Sequence, residues 1–246
     1  MGWRRLTMRG VSSLARAVPH RSGRRILLFH AVGTEVVGYP FSMSVPVDAF
    51  ADDLDAMVAT GVDLASMTSP IGDRPSVAVT FDDGYADVID AAAPIMATRA
   101  APFTVFVTLD FLDTGAFLSR SALADVAALP GATVGFHGRS HTPLTRLDDH
   151  ALRLELDGGR RELEDLVGQP VTSMSYPSGC LDSRVRRAVA EAGFTHGATS
   201  RYGVNRPGDD PLTLRRCEIV DADRPIDVAR KATGGWDWLG VRRHAR

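Results

Sequence analysis

The chain has 246 residues, 44% apolar and 24% charged, with a formal net charge of -2. This is a globular composition with enough apolar material for a core, and its charge argues against a nucleic-acid binder. Two cysteines, Cys180 and Cys217, are too few for a disulfide framework or a cysteine zinc site, and no apolar run approaches the ~20 residues needed to span a bilayer.

Residues 1–25 carry seven arginines, with Trp3, Leu6, Val11, Leu14 and Val18 between them. They read as a solvated basic arm, with an amphipathic helix on an anionic membrane surface as the alternative. Arg9, Ser12, Ser13 and Arg16 interrupt any signal-peptide core, so the expected location is the cytoplasm, peripheral to the inner face of the membrane. Ile26 to Phe29 predicts a strand ending in His30, and Gly33 to Pro46 a long loop. Val47 to Thr60 has a helical period in Phe50, Leu54, Met57 and Val58. Asp48, Asp52 and Asp53 fall in its first half, where the helix dipole favours them. Val62 to Met67 predicts a second strand.

Ser76 to Phe81, entered through Gly72, Asp73 and Pro75, reads as a buried parallel strand. It runs into Asp82, Asp83 and Gly84, and a helix is expected from Ala86 to Thr98. Phe103 to Thr108 predicts a strand, and Ser121 to Leu129 a helix stopped by Pro130 and Gly131. Thr133 to Phe136 predicts a strand leading into His137-Gly138-Arg139-Ser140-His141. Asp148 to Val167 has a helical face in Leu152, Leu156, Leu163 and Leu166, interrupted by Gly158 and Gly159. The remaining expectations are a strand from Pro170 to Tyr176, a helix from Ser183 to Ala192, strands at Thr195 to Thr199 and Leu212 to Val220, and a helix from Ile226 to Lys231. Alternating strands and helices imply an α/β fold of parallel units, closed as a barrel or stacked as an open sheet. The expected division is a basic arm at 1–25, a barrel at 26–235 and a basic tail at 236–246 with Trp236 and Trp238.

Four sites fall just past strand ends: His30, Asp82 with Asp83, His137 to His141, and Tyr176 to Gly179. In a barrel all four share one rim. Two adjacent carboxylates repel, so one gains a proton unless a cation or donors stabilise both. A helix cap or an Asp-Gly turn is the bland account of the pair. Two histidines and a carboxylate, however, form a common three-ligand set for a catalytic divalent metal with a position open for water. Zinc lowers the pKa of such a water to about 7, and the second carboxylate is then free as general base. The competing account makes His137 and His141 ordinary loop residues, and a lone histidine such as His30 is more often structural than catalytic.

Thr80 to Tyr85 (T-F-D-D-G-Y), His137 to Leu144 (H-G-R-S-H-T-P-L) and Tyr176 to Gly179 (Y-P-S-G) resemble the motifs of the polysaccharide deacetylases, the NodB-homology enzymes of carbohydrate esterase family 4. Asn205 to Arg216 is similar to the closing segment of one branch, and the resemblance runs from about Ile26 to Val220. It implies a distorted (β/α)7 barrel and metal-dependent removal of N-acetyl groups from N-acetylhexosamines. By motif, Asp82 is the implied general base. Asp83, His137 and His141 are the implied ligands of a divalent metal, zinc foremost. The backbone N–H of Ser178 is the implied oxyanion donor, and Tyr85, Tyr176, Arg215 and Arg216 are expected at the substrate.

Two departures stand out. Ser175 occupies the place where many members carry an arginine that steadies the base, and Arg215 or Arg216 is expected to substitute. No Leu-x-His motif occurs near the C-terminus. Leu27-Leu28-Phe29-His30 instead resembles that motif moved to the N-terminus, as in the circularly permuted branch acting on exopolysaccharide. The first and last strands of a closed barrel are neighbours, so His30 is the expected general acid, while His20, His150, His196 and His244 are expected to be bystanders. The expected substrate is an N-acetylated glycan or lipid-linked sugar. The alternatives are hydrolysis of another non-peptide C–N bond on the same residues, or a glycan-binding homologue without catalysis. The particular sugar and the oligomeric state are left open.

Overall fold

The computed structural model describes residues 21–36 and 43–242. Residues 1–20 of the basic arm, with their membrane-surface reading, and the last four residues of the tail lie outside the described residues. The central parallel sheet has eight strands among the described residues, seven of them in one row: β1 (Arg24–Phe29), β2 (Ser76–Phe81), β3 (Phe103–Val107), β4 (Ala132–Phe136), β5 (Ser173–Ser175), β6 (His196–Ala198) and β7 (Cys217–Glu218), with a two-residue strand, Asp63–Leu64, paired with β2 off that row. Their spatial order is β7-β1-β2-β3-β4-β5-β6. The first strand therefore lies beside the last, with Leu27 opposite Cys217. A parallel bridge between Ala198 and Leu214 joins β6 to the approach to β7, and the sheet curls into a distorted (β/α)7 barrel.

The strands are apolar because helices cover them. Phe29, Phe81, Val105, Phe136 and Met174 share one core with Leu54 and Met57 of the Val47–Ala59 helix and with Leu156 and Leu163 further on. Burying each such side chain contributes about 1.5–3 kcal/mol. Among the described residues no helix is long and apolar enough to cross a membrane. Cys180 and Cys217 are free thiols.

Several element boundaries differ from the sequence expectation, each for a local reason. β1 starts two residues early and carries Arg24 and Arg25 inward, 2% and 0% exposed. Such burial requires partners. Arg24 donates to the carbonyls of Ser66, Ser69 and Pro70, and Arg25 pairs with Asp237 at 2.6 Å. Of the expected strand at Val62 to Met67 only Asp63–Leu64 pairs with β2, since the chain beyond wraps the Arg24 guanidinium. The expected last strand shrinks to Cys217–Glu218. Before it, the Asn205 side chain accepts from the Arg215 N–H (2.8 Å) and donates to the Arg215 carbonyl (2.9 Å), replacing a neighbouring strand.

The helix with two central glycines is continuous. Asp149–Arg153 and Gly159–Val167 are joined by a π turn at Leu154–Gly158. A Cβ on Gly159 would lie 2.5 Å from the Phe136 ring, so this glycine lets the helix approach β4. The tail contributes a short helix, Trp238–Arg242, beside the Arg25–Asp237 pair.

Asp53 is an internal electrostatic liability. It is 1% exposed, and its Oδ1 has no hydrogen-bond partner among the described residues. Burial, then the charges of Asp223 and Asp52, push its carboxyl up to about 8, against the opposing pull of Lys231. A folded pKa above the unfolded value means that the native state holds the extra proton, so stability falls as pH rises from about 4 to about 8. Asp53→Asn is expected to raise stability at pH 8 by a few kcal/mol (roughly 1.4 per pKa unit) and to change it little at pH 4. Urea unfolding at the two pH values measures this, and an equal change at both would contradict it.

Candidate active site

Each candidate residue is delivered by a strand running out of the sheet at its carboxyl end. β1 stops before His30, β2 before Asp82 and Asp83, β4 before His137, and β5 before the Tyr176–Gly179 turn. His30, Asp82, Asp83, His137, His141 and Ser178 line one cleft of about 250 Å³, together with Leu28, Met43, Tyr176, Ser200 and Glu218. The backbone is unusual at these points. Asp83, His141 and Ser178 adopt φ values of 72°, 59° and 57°. Left-handed conformations cost non-glycine residues about 1–3 kcal/mol each and persist only where the surroundings enforce them. Gly138, at φ 83°, has a second constraint: a Cβ there would lie 3.0 Å from Pro177 and 3.2 Å from Glu155.

The two carboxylates have opposite environments. Asp82 is 3% exposed. Arg216, itself 1% exposed, donates to its two oxygens at 2.7 Å each, and the Ser175 hydroxyl adds a donor at 3.0 Å. Arg216 is steadied in turn by the Thr199 carbonyl at 2.9 Å and lies over the Phe106 ring at 5.8 Å. Burial alone would raise the Asp82 carboxyl, but the charges of Arg216 and His137 with the Arg216 hydrogen bonds hold it well below the usual carboxylate range. Ser175, where the resemblance implied an arginine, thus shares this carboxylate with a guanidinium from the approach to β7.

Asp83 has no such partner. Its Oδ1 is buried without a hydrogen bond among the described residues, 3.4 Å from Nε2 of His137 and 3.4 Å from Nε2 of His141. Burial and then the Asp82 charge push this carboxyl up to about 7. His137 donates from Nδ1 to the Ser175 carbonyl at 2.9 Å, which sets its tautomer and turns the Nε2 lone pair toward Asp83. Burial holds His137 down at about 4, against the Asp82 charge, and lowers His141 as well. One ligand atom from each of Asp83, His137 and His141 fits within 4.8 Å of the others. Two neutral imidazoles around an orphaned, buried carboxylate oxygen form a donor set suited to a divalent cation, which would relieve the repulsion between the carboxylates.

His30 lies on the same cleft, with its Nδ1 buried and unpartnered among the described residues. Burial pushes it down to about 4; Asp82 opposes this, while Arg216, His137 and His141 reinforce it. In the resting cleft it is a neutral imidazole at pH 7.

The four residues expected at the substrate have different surroundings. Tyr85 is buried and tilted against Phe117 at 4.6 Å, away from the cleft lining. Tyr176 touches the cleft, but its side chain is fully buried and its hydroxyl donates to the Leu212 carbonyl at 2.8 Å. Arg215 opens onto a different groove, paired with Asp209 at 3.2 Å. Arg216 is too deeply buried for substrate contact and serves Asp82 instead. Their motif positions mark packing and support, which sequence neighbourhood alone does not separate from contact.

Two supporting residues went unread. Asp87 accepts from the Val32 and Thr34 N–H groups at 2.8 and 3.2 Å, fixing the chain that follows His30. Glu155 accepts from the N–H groups of Arg139 and Ser140, inside the His137–His141 loop. Its signal was present: it is a carboxylate three residues after Leu152, on the helix's apolar face.

The family model described as polysaccharide deacetylase matches residues 69–197. YxkH of Bacillus subtilis is 22% identical over 202 residues, 79% of this chain and 70% of that protein. Among solved structures, the deacetylase PplD of Streptococcus pyogenes, in complex with acetate, is similar with a TM-score of 0.75 and 20% identity, over 85% of this chain and 98% of that one. IcaB of Ammonifex degensii gives a TM-score of 0.72 and 23% identity, over 88% of this chain and all of that one (100%).

Proposed function

Since this chain belongs to the polysaccharide deacetylase family, hydrolases of carbon–nitrogen bonds other than peptide bonds, we propose that it removes N-acetyl groups from an N-acetylhexosamine-containing glycan or lipid-linked sugar. The observation that carries this reading is the division of labour between adjacent carboxylates: Asp82 is saturated by Arg216 and Ser175, and Asp83 is left open between two histidines.

Asp83, His137 and His141 would hold a divalent cation, zinc by the nature of the donors. When bound it supplies Lewis acidity toward the acetamide carbonyl and toward water. Asp82, kept ionised by Arg216, accepts the proton of the attacking water. Its depressed pKa makes it a weak base, so proton transfer to it relies on the acidity that a bound cation would lend the water. Ser178, whose left-handed turn places it on the cleft, offers its backbone N–H to the oxyanion. His30 donates a proton to the departing amine. It is neutral at rest, so before the C–N bond breaks it must take up a proton, either the one Asp82 removed from water or one from solvent. The products are acetate and a free amine, and acetate accompanies the similar PplD.

The test is acetate release from a panel of N-acetylglucosamine oligomers and lipid-linked acceptors, with and without chelator. Release that is lost on chelation and restored by zinc supports the reading, and release of ammonia or formate in its place overturns it. His30→Gln is expected to lower turnover by about 10²–10⁴-fold, the usual worth of a positioned acid, with zinc content unchanged. Undiminished activity would remove His30 from the mechanism. The cytoplasmic location and the membrane contact of the basic arm, residues 1–25, belong to the same proposal; sedimentation with anionic liposomes tests the latter, and absence of binding removes it.

A further inference from the structure

The turn that carries His137 and His141 is held on two sides by different parts of the chain. On one side its carbonyls are used: the Thr108 hydroxyl donates to the His137 carbonyl at 3.2 Å, the Leu109 N–H to that of Gly138 at 3.2 Å, and the Asp110 N–H to that of Arg139 at 2.9 Å. On the other side, two successive N–H groups converge on a single atom. Arg139 N and Ser140 N donate to Oε1 of Glu155 at 2.8 and 3.1 Å, and the Ser140 hydroxyl reaches the same oxygen at 3.4 Å. Successive N–H groups presented in this way form an anion-binding concavity. The left-handed Gly138 and His141 bracket them.

Glu155 is 8% exposed and sits in the π turn Leu154–Gly158 of an otherwise regular helix. Single π turns occur frequently at functional sites. This one places Glu155 and Leu156 together on the buried face, so that the helix keeps its grip on the core while aiming a carboxylate at the turn. The neighbouring Arg139 side chain is tied to Glu162, one π turn and a helical turn further along.

We infer that Glu155 is the positioning residue of the candidate metal loop: its carboxylate holds the turn in the strained form in which His137 and His141 both face Asp83. This rests on the assignment of those three residues as ligands. Without the carboxylate, the Arg139 and Ser140 N–H groups lose their acceptor and the left-handed His141 loses what enforces it. Cation affinity then falls before the fold does.

The experiment measures zinc affinity by competition with a chromophoric chelator, and urea unfolding of the metal-free protein, for the parent, Glu155→Gln and Glu155→Leu. Leucine suits the apolar helix face but accepts no hydrogen bond, whereas glutamine keeps an oxygen at that place. Glu155→Leu is expected to weaken zinc binding by about 10–100-fold, the range for groups that orient metal ligands, and Glu155→Gln to recover most of the loss. Parental zinc affinity in the leucine variant, whatever its stability, would overturn the inference. So would equal losses in both variants, since acceptance by the side-chain oxygen is its content. A parent that binds no zinc would instead refute the ligand assignment and take this inference with it.

Discussion

Replacing Arg216 by methionine is expected to lower acetate release by at least about 10²–10⁴-fold, the loss of a general base, and to destabilise the fold by about 3–5 kcal/mol, the cost of stranding a buried charge. Both effects have one origin. Asp82 is 3% exposed and receives two donors at 2.7 Å from a guanidinium that is 1% exposed. Without that partner the carboxylate keeps only Ser175 and the histidines, and burial drives it to take up a proton. A protonated Asp82 cannot accept another from water. Lysine is expected to rescue little, because a point charge does not reproduce the fork that grips both oxygens.

The linkage has a definite sign. The folded Asp82 pKa lies below its unfolded value, so the pair's stabilisation is present above about pH 4, where the unfolded group is ionised, and is lost as pH falls through the depressed folded value. Arg216→Met should therefore differ most from the parent near neutrality and least in acid. Asp82→Asn combined with Arg216→Met should recover part of the stability and none of the activity. Urea unfolding and acetate release measure both, and an unchanged unfolding midpoint for Arg216→Met would refute the account.

Asp83→Asn is expected to act in opposite directions on two properties. In metal-free protein the Asp83 carboxyl is pushed up to about 7 by burial and by Asp82. The folded value lies above the unfolded one, so the metal-free fold loses stability as pH rises from about 4 to about 7. A neutral amide removes that penalty. The chelated variant should be more stable than the chelated parent at pH 8, by up to about 4 kcal/mol at 1.36 kcal/mol per pKa unit, and alike at pH 4. The same substitution removes a charged ligand, so zinc should no longer stabilise the protein or restore turnover. Metal analysis with thermal unfolding, with and without zinc, separates the two. An Asp83→Asn variant that still gains stability from zinc as the parent does would dismiss Asp83 as a ligand.

The sequence patterns were readable where a local rule dictated the outcome. Ser76 to Phe81 is apolar at every position but Ser76 and Thr80, and only a strand covered on both faces tolerates that. The carboxyl-end rule for parallel sheets then puts His30, Asp82, His137 and Ser178 on one rim, and all four line one cleft. The pairing of Arg216 with Asp82 was half readable: the missing arginine at Ser175 demanded a replacement, and two adjacent arginines answered. Alternation along the approach to β7 decided between them, turning Arg216 inward and Arg215 out to Asp209.

What the linear pattern left open were effects of chain segments meeting. Arg24 and Arg25 look like the end of a basic arm because charge is normally solvated. They are buried because the carbonyls of 66–70 and the carboxylate of Asp237 converge on them from distant positions. Gly159 in the continuous helix has a similar reason, the Phe136 ring needing the room, whereas nothing among the described residues crowds Gly158. Residue types and spacing along the chain determined the strand–helix alternation, the family's three motifs and the side of the sheet where chemistry gathers, since these follow from local periodicity and the hand of parallel connections. Only the tertiary structure decided which carboxylate is neutralised and which is left exposed to a cation, because that depends on desolvation and on charges separated by more than a hundred residues of chain.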